Sequence, residues 1–237
     1  MTRLSKVLSS VALFALLISQ SHANLLIQDF ENGLNSGADG DGVRMGFTQF
    51  SGQNTTTLAA NTLLTGGTPP DILGKMGPNT VLQLDIETST FAGIVNLFTN
   101  ANSDTWLSQD WSGQRSISFW LYGSNSQTDL FFDIINNRNA GSTTDDAERF
   151  VYEFKDDFTG WQMVNIPFTQ FIRKDISNGA PNDGLDLSDM RGWAIGSLAT
   201  SGPLTLFIDD VTAVPAPATL ALLLLGLAGI SLKRKRQ

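Results

Sequence analysis

The sequence contains no cysteine and a single histidine, His22. Without cysteine there is no disulfide framework and no thiolate metal site. His22 lies in a leader expected to be removed on export, so the mature chain would lack both residue types. Such a chain cannot build a Ser-His-Asp triad, a Cys-His dyad or a zinc site of the usual ligands. Basic residues are also scarce. Lys and Arg number 15 against 23 Asp and Glu, and six of the 15 sit at the two ends: Arg3, Lys6 and Lys233–Arg236. The body keeps nine bases against all 23 acids, a balance of −14. That surface repels the phosphates of nucleic acid, so no nucleic-acid partner is expected. It suits neutral ligands and divalent cations. Long helical patterns are missing as well, and extended apolar runs occur only at the ends.

The N-terminal run reads as a secretory signal peptide over residues 1–23. Arg3 and Lys6 give a basic start, Val7–Ile18 is mostly apolar, and Ser21-His22-Ala23 is a small-x-small cleavage site. The apolar stretch is short for a membrane span. At the other end Val214-Pro215-Ala216-Pro217 precedes an apolar run, Ala218–Leu232, and a basic tail, Lys233–Arg236. A basic end after a short apolar helix fits a segment whose tail stays in the cytoplasm.

Residues 24–213 read as strands with turn punctuation. Gly160 marks a turn, Trp161 to Ile166 alternates, and Pro167 ends the run because it has no N–H for a ladder. Trp161 and Trp193 are expected in the core; Trp106 and Trp111 sit in a polar loop as candidate exposed platforms. Leu82, Leu84 and Ile86 alternate with polar residues across Val81–Glu87, while Phe91–Phe98 is apolar enough for a central strand. Further strands are read at Ser116–Gly123, Asp129–Asn137, Arg149–Phe154, Arg191–Gly196 and Leu204–Val211. Arg149–Phe154 is expected to pair with the Trp161 strand across Lys155–Gly160. Leu34–Thr80 is expected to hold short strands between long loops. Many strands without a convincing long helix argue for an all-β sandwich.

Three stretches carry a family resemblance. They are Phe158-Thr159-Gly160-Trp161-Gln162-Met163-Val164-Asn165-Ile166-Pro167-Phe168, then Gly179–Leu187, then Phe207-Ile208-Asp209-Asp210-Val211. In combination they resemble the family 11 carbohydrate-binding modules, β-sandwich jelly rolls that hold β-glucan chains. The resemblance implies a polysaccharide-binding cleft on one sheet, with Asp133, Arg149, Tyr152 and Arg173 as carried-over contacts. Tyr152 shares its alternation with Phe150 and Phe154, which is also the pattern of a core residue. Arg149 and Asp133 could equally be a cross-strand pair. The opening Asp29-Phe30-Glu31-Asn32-Gly33 resembles the start of many carbohydrate-binding jelly rolls. That likeness implies a structural Ca2+ held by Glu31 with Asp209 or Asp210, and hard cations do take carboxylate oxygens.

The C-terminal layout resembles the PEP-CTERM sorting signal of Gram-negative bacteria, with Ala216 where that family usually has Glu. It implies recognition by an exosortase, at least transient membrane contact through the apolar helix, and delivery to the cell surface or extracellular matrix. The expected organisation is therefore signal peptide 1–23, sandwich 24–213 and sorting signal 214–237. The expected function is non-catalytic polysaccharide binding. The alternative is a structural matrix protein using its sandwich for protein contacts. A glucan hydrolase needs only two suitably spaced carboxyl groups, so acid content does not exclude one, but the resemblance is to the binding module alone.

Overall fold

The computed structural model describes residues 23–136 and 146–215, which are almost wholly β. The strands are β1 (Leu25–Gln28), β2 (Ser36–Ala38), β3 (Arg44–Ser51), β4 (Thr55–Leu64), β5 (Thr80–Thr88), β6 (Phe91–Leu97), β7 (Gln114–Ser124), β8 (Asp129–Asn136), β9 (Glu148–Lys155), β10 (Thr159–Pro167), β11 (Ile172–Lys174), β12 (Met190–Leu198) and β13 (Leu204–Pro215). One 3-10 turn, Phe168–Gln170, follows Pro167. The strands form two antiparallel sheets. One has six strands in the order β10-β7-β13-β5-β4, with β1 also paired to β13; the other has seven, β11-β9-β8-β12-β6-β3-β2. This is the jelly-roll sandwich expected from the sequence.

The core lies between the sheets because strand side chains alternate between two faces. Leu82, Leu84 and Ile86 of β5, Phe119 and Leu121 of β7, and Leu206 and Ile208 of β13 face Phe132 and Ile134 of β8 and Trp193 and Ile195 of β12. Phe119 stacks on Phe132 across the sandwich at 4.8 Å between centroids, and Phe132 stacks on Trp193 at 5.7 Å. β6 is interior to its sheet, between β12 and β3, as its apolar sequence implied.

Four expectations are corrected. β9 and β10 do not form a hairpin: β9 pairs with β8 and β11, and β10 pairs with β7 in the other sheet. The chain crosses between sheets at Asp156, whose carboxylate is fully buried and accepts hydrogen bonds from the amides of Ser124, Asn125 and Ser126 and the hydroxyls of Ser124 and Ser126. That 124–126 link is itself the crossing from β7 to β8, so one carboxylate fastens both crossovers. Residues 34–80 hold two long strands, β3 and β4. Trp161 is not core: β10 is an edge strand, and the indole packs edge-on against Tyr122 while its N–H donates to the Pro70 carbonyl. Trp111 is fully buried, stacked on Phe168.

The terminal expectations fall largely outside the described residues. They are the signal peptide apart from Ala23, the apolar helix 218–232 and motif residues Ala216 and Pro217. Val214 and Pro215 are described: they end β13, opposite Ser116 and Gln114 of β7. No helix among the described residues is long and apolar enough to cross a membrane.

Candidate functional site

The outer face of the seven-stranded sheet carries a groove of about 590 Å³. Its floor follows from register. Thr48, Val95, Ala194 and Asp133 stand side by side across β3, β6, β12 and β8. The next row is Phe50, Gly93, Gly196, Phe131 and Glu153. Two glycines in the middle of that row leave the space through which Phe50 and Phe131 approach each other, 6.1 Å between ring centroids. A Cβ on Gly196 would meet the Ala92 carbonyl oxygen at 2.2 Å and the tip of the Phe131 ring at 2.6 Å. Phe91 extends the strip beyond Phe50, with centroids 6.4 Å apart. Val95, Leu97, Ile135 and Ala194 continue this face as a second buried cluster.

Charge is placed at one side of this apolar floor. Asp133 is only 2% exposed; its Oδ2 accepts from Lys174 Nζ at 3.0 Å and its Oδ1 is buried without a partner. Burial pushes the Asp133 carboxyl above its usual range, against the opposing pull of Lys174 and Arg149. The Lys174 ammonium also stands over the Phe131 ring, 4.7 Å from its centroid. Arg44, Arg149 and Glu153 complete the polar lining. The groove thus offers ring faces for stacking, an acceptor with an unused oxygen, and flanking charged donors.

Of the four residues carried over for sugar contact, the structure brings two together. Asp133 and Arg149 both line the groove. They are not directly opposite: Asp133 pairs with Val151, and Arg149 with Ile135 and Lys174. Tyr152 lies on the inner face opposite Phe132, its ring packed with Phe154 and Phe171. Arg173 likewise turns inward opposite Phe150 and donates to the buried Glu148 carboxylate. Lys174, one residue on, takes the outward place. Sequence reasoning missed Lys174, Phe131, Phe50 and Phe91. Alternation within Phe131-Phe132-Asp133 is the local signal that would have found Phe131, but the partners from β3, β6 and β11 depend on long-range register.

Of the three acids expected to hold calcium, Asp209 and Asp210 share one partner at another point, beside the pairing of the first and last strands. Along one edge of β13, β5 pairs with Leu204–Ile208 and β1 with Val211–Ala213, and Asp209 and Asp210 fall in the gap. Lys75 Nζ lies 2.5 Å from Asp209 Oδ2 and 2.8 Å from Asp210 Oδ2. Asp209 Oδ2 also accepts from the Asn79 amide, and its Oδ1 from the Asp210 backbone N–H. Glu31 Oε1 accepts the Thr80 N–H at 2.8 Å. Burial raises the Asp209 pKa most; Lys75 pulls it down and Asp210 pushes it up, with a net rise to about 6. A calcium ion does not fit this arrangement, because an ammonium already sits on both aspartates. Among the described residues no group of three or more His, Cys, Asp or Glu is disposed to hold a metal ion.

Comparison with known proteins agrees with the fold. A sequence model of the family 11 carbohydrate-binding domain matches residues 19–215, and one of the PEP-CTERM protein-sorting motif matches residues 213–236. No curated protein sequence matches the chain. Among solved structures, the chain is similar to the family 11 carbohydrate-binding module from Clostridium thermocellum in complex with a β-1,3-1,4-mixed-linked tetrasaccharide. Identity is 21%, the TM-score 0.59, and the match covers 83% of this chain and 98% of that one. It is also similar to the family 11 module of the cellulosomal cellulase Lic26A-Cel5E of Clostridium thermocellum, at 18% identity, TM-score 0.56, and 83% and 97% coverage. A family 30 carbohydrate-binding module aligns at 15% identity with TM-score 0.51, over 84% of this chain and 90% of that one.

Proposed function

We propose, from the premise that the chain belongs to the family 11 carbohydrate-binding domains, that it is an exported, surface-sorted protein that binds a linear polysaccharide in the outer groove without transforming it. The observation that carries this reading is Asp133: a buried carboxylate in the lining of a groove floored by phenylalanine rings, with one oxygen that no group of the chain bonds. A buried acceptor without a partner is costly, and a sugar hydroxyl satisfies it. The C–H face of a pyranose ring then lies on Phe131, Phe50 or Phe91. These rings bring no hydroxyls, so hydrogen bonding falls to Asp133, Glu153, Arg149, Arg44 and Lys174. Mixed-linkage β-glucan is the first candidate ligand, since a similar module has been captured with such a tetrasaccharide. The C-terminal motif points to exosortase processing and surface delivery, with the apolar run 218–232 holding the membrane during export.

The test is retention of the purified full chain on a panel of mixed-linkage glucan, β-1,4-glucan and an acidic polysaccharide. Asp133→Ala and Phe131→Ala are each expected to weaken binding about tenfold or more, the equivalent of ~1.4 kcal/mol per factor of ten. Tyr152→Phe should leave affinity unchanged, because that ring faces the core. A folded chain retained on none of these glycans would overturn the reading.

A further inference from the structure

Consecutive residues of a strand normally face opposite sides of the sheet. Asp209 and Asp210 nevertheless both reach Lys75. The cause is a bulge: the registers of β13 with β7 and with β1 shift at this point, and Asp210 adopts φ +50°. Lys75 arrives on a strap, residues 65–79, whose ends are tied by the Asn79 N–H donating to Thr65 Oγ1, with Thr65 also bonded to Asp71. On that strap Ile72 is buried, Leu73 and Met76 are almost fully exposed, and Lys75 turns inward. The Asp209 side chain is 0% exposed, so its charge is compensated from within the fold. The Asn79 amide turns its nitrogen to Asp209, and its oxygen is buried without a partner.

We propose that the Lys75 ammonium is the resident cation of this seam, in the place where the sequence suggested calcium, so that the sandwich closes without a metal and loss of Lys75 uncovers a divalent-cation site. The oxygens left behind are those of two carboxylates, with an amide beside them whose carbonyl can turn toward them, the hard donors that calcium takes. Lys75 spares the fold a ligand because it is covalently present; a bound ion would have to be drawn from solution. This inference is independent of the groove, about which it predicts nothing.

The experiment is thermal unfolding of the purified full chain with a chelator and with millimolar calcium. The wild-type midpoint should agree within about 1 °C between the two; a calcium-dependent rise of about 5 °C or more would overturn the proposal. Lys75→Ala should melt lower in chelator and recover on adding calcium, whereas Lys75→Arg should keep the wild-type indifference. A folded Lys75→Ala that ignores calcium would overturn the uncovered metal site. Should Lys75→Ala not fold in chelator, refolding with calcium present is the readout, and failure there counts against that site equally. The wild-type comparison decides the resident-cation claim in every case.

Discussion

Asp156→Ala is expected to destabilise the sandwich by about 3–5 kcal/mol, read as a lower urea midpoint with an unchanged slope. The carboxylate accepts from three amides and two hydroxyls, all in the link between β7 and β8. Hydrogen bonds to a charged group contribute about 1.5–3 kcal/mol each in favourable cases. Removing the acceptor leaves five donors to find water at a site that is fully buried. The backbone of Asp156 adds to this knot: its N–H donates to the Thr128 carbonyl, and its own carbonyl accepts from Gln127. Nearby Gly123 has no room for a side chain, since a Cβ there would stand 2.5 Å from Asp156 Oδ1. Asp156→Asn keeps the shape, loses the charge and some acceptor capacity, and should cost less than the alanine change.

The same residue predicts a pH dependence. Burial acts to raise the Asp156 pKa, but the hydrogen bonds from Ser126 and Ser124 outweigh it and hold the carboxyl below its ordinary range. A carboxyl with a depressed folded pKa stabilises fully above its unfolded value, about 3.9. That contribution disappears as the pH falls through the folded value. Stability of the wild type should therefore drop more steeply below about pH 4 than that of Asp156→Asn. Equal slopes would show that the carboxylate does not fasten the crossovers.

Trp193→Ala is expected to cost about 3–5 kcal/mol by opening a cavity at the centre of the core. The indole is fully buried, stacked on Phe132 and met edge-on by Phe30 and Phe47, with centroids 6.3 and 6.1 Å away. Those contacts tie the turn after β1 and strand β3 to the middle of the seven-stranded sheet. Trp193→Phe should cost far less. It keeps the stacking ring and removes an indole N–H that is buried without a partner, so part of the lost packing is offset. A phenylalanine variant as unstable as the alanine one would mean that the retained ring does not pack in place of the indole.

Asp133 and Lys75 show how the two charged sites of the domain differ. At Asp133 the buried carboxylate keeps one oxygen without a partner and belongs to the lining of an open groove. At Asp209 both oxygens are engaged by groups of the chain itself. The first arrangement can accept a ligand; the second is already satisfied. Both depend on a lysine that local sequence does not single out, because Lys174 and Lys75 reach acids 41 and 134 residues away.

Local pattern along the chain was enough to show a β-sandwich domain without thiol or imidazole chemistry. Alternation such as Leu82-Gln83-Leu84-Asp85-Ile86 is a local, period-two signal, and burial of one face follows from it directly. It also located the strands that carry Asp133, Arg149 and the acid pair Asp209-Asp210. The tertiary structure alone decided which strands pair and which faces combine. Arg149–Phe154 and Trp161–Pro167 looked like a hairpin because only a few residues separate them, yet the chain changes sheets at Asp156. Whether an arginine or the lysine after it faces a groove depends on one residue of register. A one-residue step reverses every side chain on a strand, so Arg173 and Tyr152 turn inward while Lys174 and Glu153 turn outward. The bulge at Asp210 and the reach of Lys75 likewise arise from packing between distant segments, where the lowest free energy belongs to the assembled sheets and not to any single strand.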